Sequence, residues 1–166
     1  DFDRPDRLAE YLAGASVLYN TYWVRFDHGE NTFARAVENT RALLRAAERA
    51  GVRRIVHVSI ANPSEDSPLP YYRGKAEIER EIRAAKLSHA ILRPTVIFGV
   101  EDVLINNMAW CLRRFPFFAV PGDGQYRLQP IFVEDMARLL VEAGAADGNA
   151  VFDAAGPEVF TFDDWL

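Results

Sequence analysis

Two side chains able to exchange protons stand four residues apart in Pro70-Tyr71-Tyr72-Arg73-Gly74-Lys75-Ala76-Glu77. On a helix this spacing is one turn, so Tyr71 and Lys75 share a face. Ile78 and Ile82 continue that face, the one a helix turns toward its sheet. An ammonium placed there is costly unless it has a partner or a task. A neighbouring phenol supplies the task. The positive charge favours phenolate and pulls the tyrosine below its ordinary value of about 10. A phenol tuned in this way passes protons near neutral pH. The plain alternative has Tyr71 packing and Lys75 snorkelling to water. The spacing by itself leaves both readings open.

The elements that would hold the pair follow from the apolar pattern. Residues 4–14 read as a short helix ended by Gly14, and 16–19 as a short buried strand running into Asn20-Thr21. Residues 31–50 form a long helix through Phe33, Val37, Leu44 and Ala47, closed by Gly51. Strand 54–59 comes next, then a proline-marked loop, helix 71–86 and strand 90–92, which leads into Arg93-Pro94. Strand and helix in alternation predict an α/β fold with a parallel sheet. In such sheets ligands bind beyond the carboxyl ends of the strands. Asn20-Thr21, Ser59 and Arg93-Pro94 all stand at predicted strand exits, and the Tyr-Lys helix starts just past the second. Further on, the pattern predicts a helix over 101–115, a strand over 129–133, a helix over 134–146 and a strand over 151–153.

Composition bounds the function. The 166 residues suffice for a substantial core, and a net charge of −5 argues against nucleic acid as the main partner. The single cysteine, Cys111, rules out an internal disulfide and suits a reducing, cytoplasmic setting. No apolar run reaches the length of a membrane span. His28, His57 and His89 are scattered, so the pattern gives no metal site, and His57 reads as a core histidine. Glu101, Asp102 and Asp123 read as caps and turn residues, and Glu134-Asp135 as a helix start. Trp110 and Phe115-Pro116-Phe117-Phe118 are read first as packing residues. The chain opens on Asp1-Phe2-Asp3, and Thr161 with Asp164 reads as a variant capping box that starts a helix. Both ends are therefore expected to be cuts in a longer protein.

Four motifs in order resemble the extended and atypical short-chain dehydrogenase/reductases of the NAD-dependent epimerase/dehydratase group. They are Tyr71 with Lys75, Leu92-Arg93-Pro94 with Phe98-Gly99, Pro121-Gly122-Asp123-Gly124, and Phe132-Val133-Glu134-Asp135-Met136-Ala137. Tyr19-Asn20-Thr21-Tyr22-Trp23-Val24-Arg25-Phe26 is similar to the branch near NmrA-like proteins and the nucleotide-binding accessory subunit of respiratory complex I. The resemblance implies part of a doubly wound Rossmann-type sheet, with its first βαβαβ half absent. Residues 1–99 would be the C-terminal half of the dinucleotide-binding domain, and 100–166 a mixed substrate-side region. It implies NAD or NADP as cofactor, contacted by Asp1, Phe2, Asn20, Thr21, Ser59, Tyr71, Lys75, Arg93, Pro94, Thr95 and Val96. Tyr71 would be the acid/base, Lys75 would hold the nicotinamide ribose, and Ser59 would steady a substrate oxygen. It also implies a homodimer through helices 31–50 and 71–86.

The sequence departs from that pattern in three ways. No glycine-rich phosphate turn occurs in it, so a missing N-terminal segment of the same protein is the expected partner. Ser59 and Ile60 compete for the family's Ser/Thr place, and the register between them stays open. The strand at 16–20 would be left as a sheet edge. The leading expectation is an NAD(P)-dependent reductase, epimerase or dehydratase acting on a hydroxyl or carbonyl, a nucleotide sugar among the candidate substrates. The alternative is a non-catalytic NAD(P)-binding redox sensor or assembly module.

Overall fold

The computed structural model describes residues 2–166. A 3-10 turn, Pro5–Arg7, leads into the short helix α1, Leu8–Tyr11. Strand β1 is Val17–Asn20, helix α2 Phe33–Arg49, strand β2 Arg54–Val58, helix α3 Pro70–Ala84 and strand β3 Ser88–Pro94. Then come β4 (Ile97–Phe98), α4 (Val103–Arg114), β5 (Arg127–Leu128), β6 (Ile131–Phe132), α5 (Val133–Ala145), β7 (Ala150–Ala154), β8 (Phe160–Thr161) and α6 (Phe162–Trp165). The expected single helix over 4–14 is thus a 3-10 turn and one α turn. Gly14, at φ +80, closes this region.

The sheet has the order β1-β2-β3-β7. β1 pairs with β2 in parallel, with Asn20 opposite His57, and β2 pairs with β3 in parallel, with Val58 opposite Leu92. The chain is therefore an α/β protein with a parallel sheet. β1 lies at its edge among the described residues. Tyr19 of β1 passes over Gly144, where an added Cβ would collide with the phenol.

Local rules account for the two long helices. Thr32 is extended and its hydroxyl accepts the Arg35 N–H at 3.1 Å, starting α2. Gly51, at φ +74, follows its end. Pro70 occupies the first turn of α3, where its missing N–H costs nothing. Val37, Leu44 and Ala47 of α2 meet Ile78 and Ile82 of α3 over Ile55 and Ile91 of the sheet, forming the core. Outside that core, Arg41 of α2 reaches Glu77 and Glu81 of α3. Arg54 is buried beneath α5, where its guanidinium donates to Ala143 O at 2.7 Å, Gly148 O at 2.7 Å and Ser88 Oγ at 2.5 Å.

The chain forms two compact units, Asp1–Arg93 with Leu140–Phe152, and Pro94–Leu139 with Asp153–Leu166. In the second unit β4 runs parallel to β6, and β5 antiparallel to β8. These two-residue strands are too short to leave a period-2 signature. The Thr161/Asp164 capping box forms in both directions and starts α6.

Candidate functional site

Asn20, Val58 and Arg93 stand at the carboxyl ends of β1, β2 and β3 in the first unit. Lys75 of α3 reaches toward them. It is 3% exposed, and its Nζ donates to Val58 O at 2.8 Å. The same Nζ lies 4.6 Å from the ring centroid of Trp23. Burial pulls the amine down to about 7, against the opposing charge of Glu79. The snorkelling alternative is thereby excluded, since the amine ends under an indole and on a carbonyl.

Tyr71 sits in an aromatic group. Its ring meets Phe33 edge-on at 5.5 Å and Trp23 edge-on at 6.1 Å, and Tyr72 lies at 5.7 Å. The expected depression of its phenol does not occur. Burial, with Tyr72 adding, pushes Tyr71 above its ordinary value, and only Arg25 pulls the other way. The physical reason is desolvation: the phenol packs among Trp23, Phe33 and Tyr72, and burial disfavours its charged form.

Ser59 is buried, and its hydroxyl donates to Glu79 Oε1 at 2.5 Å. Glu79 is itself buried on α3 and receives Arg93 through Nε at 3.0 Å and Nη2 at 2.6 Å, with Arg83 at 3.0 Å. Ser59 and Arg93 are thus brought together around a carboxylate. The Ser59 hydroxyl and the Arg93 guanidinium both hydrogen-bond this carboxylate.

Asn20 is also committed. Its Oδ1 accepts the Tyr22 N–H at 3.1 Å, which fixes the amide so that Nδ2 donates to His57 Nδ1 at 3.0 Å. The His57 proton therefore sits on Nε2, which is buried without a partner. Burial, and then the Lys75 charge, holds His57 well below its ordinary value, so it stays neutral. Thr21 is exposed, and Phe2 packs on Tyr22 at 4.8 Å between centroids. Asp1 lies outside the described residues.

Pro94, Thr95 and Val96 belong to the second unit. There Thr95 Oγ1 donates to Gln129 O, and Val96 O accepts the Ile131 N–H at 2.8 Å. This unit has its own cavity of about 540 Å3, with Phe98, Val100, Phe132 and Val133 in its wall and Glu101, Asp102 and Glu134 around it. Asp102 caps α4 through the N–H groups of Leu104 and Ile105. Trp110 is exposed rather than packed, and no residue of α4 is buried. Among the described residues no cluster of three His, Cys, Asp or Glu could hold a metal, and no helix is long and apolar enough to cross a membrane.

Sequence reasoning missed Trp23 and Glu79. Glu79 was legible, because it falls one turn after Lys75 on the same buried face. Trp23 lies in the irregular loop between β1 and α2, where periodicity gives no signal.

A family described as NAD(P)H-binding matches residues 1–102. The mitochondrial NADH dehydrogenase [ubiquinone] 1 alpha subcomplex subunit 9 of Arabidopsis thaliana is 29% identical over 161 residues, 94% of this chain and 40% of that protein. Its Dictyostelium discoideum counterpart is 33% identical over 144 residues, 84% of this chain and 40% of that protein. The chain thus spans about 40% of the length of these relatives. Among solved structures, the UDP-glucose 4-epimerase of Brucella ovis in complex with NAD superposes with a TM-score of 0.79 at 20% identity, covering 99% of this chain and 65% of that one. At this identity the likeness is one of fold, the Rossmann-type fold of the epimerases. With more than half of its residues matched, this chain belongs to the NAD(P)H-binding family.

Proposed function

We propose that Lys75 holds the nicotinamide ribose of NAD(P) and that Tyr71 passes a proton to or from a substrate hydroxyl or carbonyl, as in a reductase, epimerase or dehydratase. When bound, the nicotinamide supplies the hydride chemistry. The observation that carries this reading is the buried amine at the exit of β2, one helical turn from a phenol. The donor set fits the cofactor. Lys75 gives one of its three N–H bonds to Val58 O, and Trp23 Nε1 and His57 Nε2 are buried without partners. Ribose hydroxyls and a carboxamide are rich in acceptors for such groups. Bound acceptors would favour the ammonium form of Lys75, its proton taken from solvent, and so supply the positive charge that helps Tyr71 give up its proton.

The test is calorimetry with NAD+ and NADP+, followed by turnover with UDP-glucose as first probe. Lys75→Met is expected to weaken dinucleotide binding about tenfold or more, the scale of a hydrogen bond to a charged group. Tyr71→Phe is expected to bind normally and lose turnover by about 100-fold or more, the scale of one general acid/base. Equal turnover in wild type and Tyr71→Phe rejects the proton-passing role.

A second reading is favoured by Ser59. Its hydroxyl is already given to Glu79, which supports a module that binds NAD(P) without turnover and serves redox sensing or assembly. The relatives from Arabidopsis thaliana and Dictyostelium discoideum, named as NADH dehydrogenase subunits, are consistent with it. That reading expects retained binding with background turnover in both proteins. Pairing of two copies through α2 and α3, if it occurs, would be polar, since no large hydrophobic residue is exposed on either helix. Such a dimer would weaken with salt in sedimentation.

A further inference from the structure

We infer that Trp23 is a displaceable cover on Lys75, and that a dinucleotide reaching the amine must first swing the indole aside. The inference rests on the dinucleotide reading above. It starts from the ring's position. The indole lies against Nζ at 4.6 Å, and together with α3 it leaves Lys75 3% exposed. Any group that hydrogen-bonds Nζ from that side must enter the volume the indole fills.

The ring is held by shape rather than by a bond. It rests on Gly74, where an added Cβ would stand 3.1 Å from Cη2 and 3.3 Å from Cζ2. It stacks on Phe33 at 6.4 Å with an interplanar angle of 17° and meets Tyr71 edge-on. Its Nε1–H is buried without an acceptor. A side chain in that state lacks the one directional contact that would fix it, and it recovers a hydrogen bond to water when it leaves.

The backbone around it is anchored. Tyr22 N–H donates to Asn20 Oδ1, and Asn39 Nδ2 donates to Tyr22 Oη at 2.8 Å. The movement is therefore a rotation of the Trp23 side chain and not an opening of the loop. The residues the ring rests on, Phe33, Val37 and Gly74, are themselves in the wall of a cavity of about 230 Å3 that Trp23 does not line. In the covered state burial lowers Lys75 to about 7 and raises Tyr71. Lifting the ring rehydrates both groups and moves each toward its ordinary value. The cover would thereby couple binding to readiness for proton transfer.

The chain has two lysines, Lys75 and Lys86, which makes the test internal. Reductive methylation with formaldehyde and cyanoborohydride is followed peptide by peptide by mass spectrometry on the intact protein. Lys86, exposed, serves as the reference. Wild type is expected to label Lys75 slowly. Trp23→Ala is expected to label it at least tenfold faster with the Lys86 rate unchanged, and NAD+ should protect Lys75 in that variant. Calorimetry is expected to show Trp23→Ala binding NAD+ severalfold more tightly, because the competent state no longer has to be uncovered. Trp23→Phe keeps a ring of smaller area and is expected to fall between the two. It also serves if the alanine variant does not fold.

Unchanged Lys75 labelling in both variants overturns the cover. Weaker NAD+ binding with faster labelling also overturns it, since Trp23 would then be a platform for the ligand. If no form binds NAD+, the dinucleotide reading and the displacement step both fall, while the labelling rates still report whether Trp23 shields the amine.

Discussion

Helices α3 and α4 both carry apolar residues at helical spacing, yet they are used in opposite ways. α3 buries Gly74, Lys75, Ile78, Glu79 and Ile82, two of them ionisable. α4 buries nothing, and it exposes Leu104 at 46% and Trp110 at 58%. Periodicity therefore identifies an apolar face but not whether anything in this chain covers it. The chemistry lies on the covered helix. Burial there turns a lysine and a glutamate from surface charges into a half-neutral amine and the hub of a network.

The largest effect expected from this contrast is on stability. Ile78→Ala removes a side chain with no exposure and should cost about 2–5 kcal/mol in urea unfolding, while Leu104→Ala on α4 should cost less than about 1. Equal losses would mean that the α4 face is covered in solution. Next comes Glu79→Gln, which leaves Arg93 and Arg83 without their carboxylate. Both arginines are partly exposed, so the loss should be about 2 kcal/mol rather than the full value for a buried pair.

The pH dependence is the third test. Lys75 has a folded value of about 7 against an ordinary 10.5. Between those values the unfolded chain holds a proton that the folded chain has released. Stability should therefore rise with pH across that window, by up to about 1.4 kcal/mol per unit. Lys75→Met should flatten the rise. His57, depressed below its ordinary 6.5, acts in the same direction as pH falls below that value. The smallest effect belongs to Gly74→Ala, which presses on the Trp23 ring. It should cost less than about 1 kcal/mol and shift the tryptophan emission, where an alanine at the exposed Arg80 of α3 would not.

Much of the frame was legible in the sequence. Thr32 and Gly51 bracket α2 as capping rules require, and the Ile78/Ile82 stripe gave the inward face of α3 correctly, Lys75 included. The electrostatic outcome was not legible. A Tyr-Lys spacing reports proximity along a helix, whereas the protonation of the pair depends on how much water each group keeps. That depends on Trp23, 52 positions before Lys75 in the chain. The fate of Ser59 was hidden for a similar reason. Its partner Glu79 lies on another element, and side chains chosen by a fold leave no local period.

Arg54 carries a consequence for how this protein is made. Its guanidinium sits under the sheet, and its acceptors come from residues 34, 89 and 94 positions further along. A nascent chain paused after β3 would have β1, β2 and β3 in place and a permanent cation with most of its latch still inside the ribosome. The parallel sheet of this protein should therefore become firm only when the carboxyl end of α5 emerges and closes over that cation.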